Sequence, residues 1–514
     1  MKRFLKRHEG RVQGTIAGFD RVLFKGNLSS ICHPGGLDRF LSSQRVLYKN
    51  FKPFVEGISE RVKEHAKQFA AAQQRPFIYL TSSQGSKEEK ARQIMEQDQV
   101  SKGLVCVLSC LEPCHSFGIR RDSMSQRLQL IKSERKCLHL YFYFVDSEFG
   151  LMHVRLQTWL PLTMQVCLNG REYLARQLAR AGIAYEQQGN CFTRIADFKK
   201  AQQLSDQLIT RNWAKFLHGL ARQVNPWLNG EGKFVLRPYY WTIREGEYAT
   251  DILFADQPAL GAVYPALIDH AIKQFHSEDV LRFLGRRTNA RHNGEVRTSL
   301  QRRVEGLRIR HWVEENSIKM YDKAGSVLRI ETTINNPKRF QVRRRATNKA
   351  GGVTMKWLPL RKGIADISRR VAVSRAANER YLEALAVVGE PTPSHQLLDQ
   401  VSKPVERKGR KFRALRPISP EDSRVFSTIL RGEFHLQGIR NHDLRQSLYP
   451  QAQEDPHQRR KNSARVSRHL SLLQSHHLIY RVPKTNYYRI TKCGNEVMST
   501  AIKFRESDLA LLAA

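Results

Sequence analysis

The sequence predicts a mixed α/β fold for the N-terminal and middle parts of the chain and a small helical domain with a hairpin at the C-terminus. Two observations support this prediction. Short apolar runs of strand length alternate with segments of helical spacing over the first 345 residues, and this alternation favours a sheet with crossover helices. After residue 415 the order of caps, apolar stripes and strands changes to three helices, a hairpin and a closing helix.

The chain of 514 residues has room for about three domains. A loop signature at Asn225–Pro226 and a cation-rich stretch with several prolines over 389–420 separate the patterned segments. We therefore predict a mixed α/β domain over 1–215, an α+β domain with a basic hairpin over 225–345, a basic helix and linker over 346–415, and a C-terminal domain over 416–514.

Each predicted element follows from its own local pattern. In the first domain we expect strands at Thr15–Phe24, Pro76–Leu80 and Gly103–Cys110, helices at Leu37–Ala71, Ser86–Asp98 and Asn169–Gly182, and a hairpin with arms Cys137–Asp146 and Leu151–Trp159. In the second domain we expect helices at Pro258–Phe275 and Ser277–Leu284 and a hairpin with arms Ser317–Lys323 and Val327–Ile334. An Arg-rich amphipathic helix follows over 363–388.

The charge of the chain indicates a polyanionic partner. Its 86 Lys and Arg residues outnumber its 48 Asp and Glu residues, for a formal net charge of +38, and such a field attracts phosphates and releases their counterions. A membrane partner is not expected, because the most apolar run, Gly103–Leu111, is too short to cross a bilayer. The N-terminus lacks the apolar segment of a signal peptide, so we expect a cytoplasmic protein that binds DNA, or alternatively RNA.

The eight cysteines do not predict a metal site. Cys106, Cys110 and Cys114 recur every four residues, with His139 and Cys137 further along the chain. Cys106 and Cys110 fall in a predicted strand, which would separate their side chains by about 13 Å, too far for two ligands of one zinc ion. We therefore expect buried free thiols and no resident cofactor, with Mg²⁺ required only if the protein is a nuclease.

The middle hairpin is one candidate site for phosphodiester chemistry. Alternation places Lys319, Tyr321 and Lys323 on one face, opposite a strand that carries Arg329 and Glu331. This stretch resembles a hairpin of rolling-circle replication initiators, which implies Tyr321 as a nucleophile. Those initiators also use a metal-binding His-x-His pair, which no suitable strand of this chain contains. A half-exposed sheet surface with cross-strand charge pairs explains the same pattern, and we prefer that interpretation.

Acidic residues offer a second candidate chemistry. Asp20 and Asp251 fall within predicted strands, and two-metal hydrolysis of a phosphodiester needs carboxylates that converge. Asp146 and Glu148 at the first hairpin turn, and His139 and His153 on its arms, are weaker candidates. The sequence does not show whether any of these groups meet, so the candidate catalytic residues are Tyr321, Asp20 and Asp251, and enzymatic activity stays open.

The C-terminal segment carries an order of elements that is typical of DNA-binding domains. Ser419 and Pro420 begin the first helix, and a second helix follows at Asn441. The third predicted helix has an apolar stripe of Val466, Leu470 and Leu473. Its N-terminal half carries the residues that we expect to be exposed and to contact nucleic acid: Arg459, Arg460, Lys461, Asn462, Arg465 and Arg468.

The hairpin after this helix strengthens the interpretation. Leu478–Ile479 and the later run Tyr488-Arg-Ile-Thr491, followed by Gly494, resemble the wing of the winged helix-turn-helix domains of MarR-like and ArsR-like regulators. The resemblance implies that the third helix reads base edges in the major groove and that Arg481 and Lys484 of the wing hold phosphates. A winged helix used only for protein contacts is the alternative.

The whole chain also resembles a bacterial protein family to which no activity is attached, and this resemblance supplies no catalytic residues. Further basic groups are spread over the chain: Arg286–Arg287, Arg291, Arg302–Arg303, Arg343–Arg345, Arg361–Lys362 and Arg369–Arg370. Because this charge exceeds what a simple repressor needs, we predict a multidomain DNA-binding protein of a mobile element or replicon. The alternatives are an RNA-binding partner of a structured RNA and a non-catalytic transcription regulator.

Overall fold

The computed structural model describes residues 1–507 except 82–84, 231–233, 235, 286–295, 304–305, 348–351, 389–393, 408, 432–433, 435–437, 451–454 and 484. Its strands are β1 (Val12–Asn27), β2 (Phe77–Leu80), β3 (Gly103–Arg121), β4 (Leu128–Asp146), β5 (Gly150–Gln157), β6 (Met164–Asn169), β7 (Tyr185–Gln188), β8 (Cys191–Ile195), β9 (Tyr240–Phe254), β10 (Val296–Arg303), β11 (Gly306–Val313), β12 (Asn316–Lys323), β13 (Val327–Thr333), β14 (Gln341–Thr347), β15 (Val353–Pro359), β16 (Val405–Arg407), β17 (Arg410–Phe412), β18 (Ile479–Arg481) and β19 (Tyr488–Ile490).

The helices surround these strands in chain order. They are α1 (Lys2–Arg7), α2 (Pro34–Ser43), α3 (Phe51–Ala72), α4 (Lys87–Gln97), α5 (Gly170–Arg180), α6 (Phe198–Thr210), α7 (Trp213–Val224), α8 (Gln257–Gly261), α9 (Tyr264–Lys273), α10 (Ser277–Phe283), α11 (Ile367–Leu385), α12 (Ser394–Asp399), α13 (Pro420–Ile429), α14 (Asn441–Leu448), α15 (Pro456–Ser475) and α16 (Lys492–Glu506). The mixed α/β fold predicted from the sequence is confirmed. No helix of the described ranges combines the length and the apolar composition needed to cross a bilayer.

An eleven-stranded mixed sheet organises the chain, in the order β10-β11-β12-β13-β9-β1-β6-β5-β4-β3-β2. Strand β2 pairs in parallel with β3, whereas β1 pairs antiparallel with both β6 and β9. Because β9 adds directly to β1, the sheet continues across the boundary that we predicted between 1–215 and 225–345. Two strands that lie more than 200 residues apart in sequence therefore form the centre of one layer.

The two faces of the sheet differ in chemistry around β9, β12 and β13. On one face Ile252, Ile318 and Ile330 belong to an apolar core that includes residues of α9, α10 and α11. The alternation of side chains then directs Asp251 and Glu331 to the opposite face. That second face is partly covered by α5, β8 and α6, and the polar groups of the sheet collect there.

An irregularity in β1 concentrates charge on this polar face. Phe19 pairs with Tyr248 and Val22 pairs with Gly246, so both Asp20 and Arg21 lie opposite Glu247. Two residues against one define a β-bulge, which redirects side chains and is common beside functional sites. In a regular strand, the consecutive residues Asp20 and Arg21 would point to opposite faces of the sheet. Because of the bulge, both lie beside Glu247.

Helix α5 approaches the same strand closely. Asn169 caps the helix by accepting hydrogen bonds from the backbone N–H groups of Arg171 and Glu172. A Cβ atom at Gly170 would lie 2.1 Å from the carbonyl oxygen of Phe19, a distance that excludes any side chain. Glycine at this position therefore allows the next residue, Arg171, to enter the buried polar layer.

The C-terminal elements occur in the predicted order, with α13, α14, α15, the hairpin β18–β19 and α16. Ser419 accepts a hydrogen bond from the backbone N–H of Asp422 and caps α13, as predicted. Ile439 adds a short bridge to the hairpin through two backbone hydrogen bonds with Tyr488, at 2.7 and 2.9 Å. A single apolar core joins these elements.

That core begins earlier than the predicted boundary at 416. Leu398, Val401 and Leu415 are buried in it, and Phe412 packs against it. The segment predicted as a linker therefore contributes side chains to the C-terminal unit, which starts at α12. This contribution to the core could not be predicted from the sequence, because cations and prolines dominate the stretch and its apolar residues show no clear period.

We predict that a fragment of residues 394–514 is more stable than one of residues 416–514. The shorter fragment loses three buried apolar side chains, and each buried Leu or Val contributes about 1.5–3 kcal/mol. Urea denaturation of the two fragments should therefore differ by about 3 kcal/mol or more. Equal stabilities would show that 394–415 is only a linker.

Candidate functional site

A polar cavity of about 470 Å³ lies on the polar face of the sheet, at the bulge of β1. Its walls come from strands on both sides of the bulge, from β4 to β12, and from α4. Asp20, Arg21 and Glu247 meet there with Lys319 of β12. Residues more than 200 positions apart thus share one cavity because β1, β9 and β13 are neighbours in the sheet.

Three carboxylates converge beside this cavity: Asp20 and Glu247 line it, and Glu331 lies behind them. One oxygen each of Asp20, Glu247 and Glu331 lies within 4.8 Å of the other two. Asp20 and Glu331 are buried, and the side chain of Glu247 is 17% exposed. The ammonium of Lys319 lies 2.5 Å from Glu331 Oε1 and 3.3 Å from Glu247 Oε1. The hydroxyl of Tyr321 donates a 2.7 Å hydrogen bond to Glu331 Oε2.

A second layer of charge lies behind the carboxylates. Arg329 donates to both oxygens of Asp251, at 2.7 and 2.8 Å, and its Nη1 lies 3.3 Å from Asp20 Oδ2. Arg171 from α5 lies 3.1 Å from the same Asp251. The amide of Asn190 donates to both oxygens of Asp20, at 2.8 and 3.0 Å. Asn190 and Arg329 therefore fix the position of Asp20, and Asp251 and Arg171 complete the layer behind it.

This layer changes the acidity of its members in opposite directions. Burial alone would raise the pKa of Asp251, but Arg171 and Arg329 outweigh it and lower that pKa. Asp20 receives less compensation, so burial and the neighbouring Glu331 raise its pKa despite Arg329. Asp251 is thus a structural anion, whereas Asp20 holds a proton more readily than an ordinary carboxyl group.

The candidate catalytic residues predicted from the sequence have different environments. Asp20 lies in the cavity together with Glu247. Sequence reasoning missed Glu247, because the bulge that brings the two residues together leaves no recognisable pattern in the sequence. Asp251 is fully buried in ion pairs and has no access to the cavity. Tyr321 is buried, and burial together with Glu331 raises its pKa, which makes its hydroxyl a poor nucleophile.

The remaining weaker candidates do not form a site. His153 pairs with Tyr143 and His139 pairs with Gln157, so the two histidines lie at different levels of β4 and β5 and do not converge. Asp146 accepts hydrogen bonds from two backbone N–H groups of its own turn, and Glu148 pairs with Arg211. All eight cysteines are free thiols, as expected. Over the described ranges, no metal-ligand group forms among them.

A second candidate site is the exposed face of α15. Val466, Leu470 and Leu473 are buried in the C-terminal core, as predicted. Asn441 of α14 holds the helix by donating to the Ser463 carbonyl and the Ser467 hydroxyl. The cationic residues that are exposed on this helix are Arg459, Arg460, Lys461, Arg465 and Arg468. Within the described part of the chain, none of these five cations forms an ion pair.

The expectation for Asn462 is wrong. Only 4% of this residue is exposed, because a helical step of four residues places it beside Val466 on the buried side. Arg481 of β18 is exposed and bonds to Thr485 and Asn486 of the same hairpin. Lys484, predicted to hold a phosphate, lies outside the described residues, as do Arg286, Arg287 and Arg291.

Part of the basic series has structural roles instead. Arg370 is 1% exposed and donates to the Ile334 carbonyl, and Arg344 pairs with Asp366. The guanidinium of Arg343 lies 4.3 Å from the ring centre of Tyr487, and that of Arg440 lies 4.0 Å from the same ring. Tyr487 therefore connects the C-terminal hairpin to β14 through cation–π contacts.

We predict that Tyr321→Phe destabilises the protein without creating a cavity, because it removes only the hydroxyl that donates to the buried Glu331. Loss of a hydrogen bond to a charged group costs about 1.5–3 kcal/mol. Urea denaturation measures the change, and Tyr79→Phe is the control because Tyr79 is 51% exposed. Equal effects of the two substitutions would contradict the role assigned to Tyr321.

Two groups of side chains are thus in position to bind a charged partner. One is the cluster of three carboxylates at the cavity, and the other is the row of exposed cations on α15. They differ in sign and in accessibility, since the first is enclosed by the sheet and the second faces solvent. No protein-family model, curated protein or solved structure matches this chain.

Proposed function

We propose that the protein binds nucleic acid, duplex DNA in particular, through a C-terminal winged helix-turn-helix domain whose reading helix is α15. The exposed cations of this helix carry the proposal. Lys461, Arg465 and Arg468 follow one another at spacings of four and three residues, which aligns them on one helical face. The apolar stripe of the same helix is buried in the core.

The arrangement fits the shape of a DNA groove. A single α-helix enters the major groove of B-form DNA, where Arg donates a bidentate pair of hydrogen bonds to guanine. Helix α15 begins at Pro456 after an Asp455 cap, and its first turn carries Arg459, near the helix N-terminus that favours phosphate. The exposed Arg481 extends the cationic surface onto the hairpin.

Among the described residues, these cations have no carboxylate partner, and this supports binding over a structural role. Elsewhere in the protein, the cations Arg171, Arg329 and Arg344 pair with carboxylates. The five exposed cations of α15 have no such partner within the described ranges. Phosphate groups supply the missing anions, and each phosphate contact releases counterions.

Substitutions on α15 should distinguish residues that read bases from residues that hold phosphates. Arg465→Ala should cost about 1–3 kcal/mol on a selected DNA site and relax the sequence preference. Lys461→Ala should weaken binding to all sequences nearly equally and make the slope of log affinity against log salt shallower by about one unit. Fluorescence anisotropy with a selected duplex, a scrambled duplex and an RNA duplex measures both effects.

Lys67→Ala is the matched control, because Lys67 is also an exposed helical lysine, on α3. It should leave affinity and salt slope unchanged. If Arg465→Ala and Lys461→Ala lose the same affinity on every duplex, α15 does not read sequence. Tighter binding of the RNA duplex would instead favour an RNA partner.

A second prediction concerns the rest of the chain, whose net charge of +38 exceeds what one small domain needs. The full-length protein should show a steeper salt dependence than the 394–514 fragment, with a log–log slope of about −5 or steeper. Affinity measured at several salt concentrations gives both slopes. Identical slopes would mean that cations outside the C-terminal unit do not touch the ligand.

A further inference from the structure

The carboxylates of the cavity have the spacing that a hard metal ion requires. A Mg²⁺ or Mn²⁺ ion holds oxygen ligands at about 2.0–2.2 Å, so ligands on opposite sides of the ion lie about 4.2–4.4 Å apart. The oxygens of Asp20, Glu247 and Glu331 all lie within 4.8 Å of one another. A small closure of the half-buried Glu247 side chain would bring all three to one ion.

The cavity wall adds an independent indication of a ligand. Tyr143 lies on the face of the sheet that lines the cavity and is only 2% exposed. Its hydroxyl has no hydrogen-bond partner in the part of the chain that the structure describes. The hydroxyl opens onto the cavity, where a water ligand of a bound ion supplies its hydrogen-bond partner.

His153, beside Tyr143, also lines the cavity. Its ring contacts Tyr141 and Tyr143, and no hydrogen bond involves it over the described residues. Burial lowers the pKa of His153 to about 4, so the imidazole is neutral at physiological pH and adds no positive charge to repel a cation. Both side chains are therefore compatible with an ordered, water-bearing cation in the cavity.

The surroundings hold two of the three carboxylates in place before any ion arrives. Asp20 is fixed by Asn190 and Arg329, and Glu331 is fixed by Tyr321. Such outer contacts orient metal ligands and are as characteristic of metal sites as the ligands themselves. The ligands also come from three adjacent strands, β1, β9 and β13, which makes the group rigid.

We propose that Asp20, Glu247 and Glu331 bind one divalent cation of the Mg²⁺ or Mn²⁺ class, in competition with the ammonium of Lys319. Lys319 lies between Glu247 and Glu331, where it neutralises the charge that an ion would otherwise balance. The lysine must move aside when the ion binds. Its flexible four-carbon chain allows this movement, whereas the buried guanidinium of Arg329 is held by two partners.

The test uses the full-length protein and Mn²⁺ alone, with free Mn²⁺ followed by electron paramagnetic resonance. We expect one bound ion per chain, about tenfold weaker binding in Glu247→Gln, and about tenfold tighter binding in Lys319→Met, because removing a neighbouring like charge favours a second cation. Glu247 is the ligand chosen because it is half-buried, so its amide variant should fold. Circular dichroism verifies the fold of each variant.

Glu245→Gln is the matched control. Glu245 lies on β9, as Glu247 does, and lines the cavity, but it does not belong to the cluster of three carboxylates. It should change Mn²⁺ affinity by less than about twofold. Mn²⁺ binding that is the same in wild type and Glu247→Gln would overturn the proposal. Weaker or unchanged binding in Lys319→Met would overturn it too, since the proposal requires the lysine to compete with the ion.

Discussion

The ion pair between Arg329 and Asp251 is the interaction on which the centre of the structure depends. Both residues are fully buried, and they join β13 to β9 in the middle of the sheet. Arg329 also approaches Asp20 on β1, so one guanidinium connects three strands. Removing one partner of such a pair leaves an uncompensated buried charge, at a cost of about 3–5 kcal/mol.

This constraint explains why polar chemistry is concentrated at one place on the sheet. Burying Asp251 requires Arg329 and Arg171, and the entry of Arg171 requires the glycine that precedes it on α5. Once these cations are in place, Asp20 and Glu331 can be buried close to one another. The cluster of three carboxylates at the cavity is therefore a consequence of a charge network that extends across four elements.

Local structure could be predicted from the sequence because its causes are local. The cap of α13 and the apolar stripe of α15 depend on residues within one or two turns. The pairing of β1 with β9 could not be predicted, since strand alternation does not identify a partner. The bulge that brings Asp20 beside Glu247 depends on that pairing, so Glu247 was missed, whereas Tyr321 and Glu331 of one hairpin were noticed together. The burial of Asn462 could be derived from its helical phase relative to Val466, but its polar side chain suggested exposure.

The order of the strands in the sheet also governs how the protein forms during synthesis. Strand β1 is made early, yet its partner β9 emerges only after residue 254, and the last carboxylate of the cavity is residue 331. At about 5–20 residues per second, Asp20 leaves the ribosome roughly 15–60 s before Glu331. Until β9 has emerged, the edge of β1 has no neighbour on one side, so the nascent chain exposes an unpaired strand edge of the kind that chaperones protect.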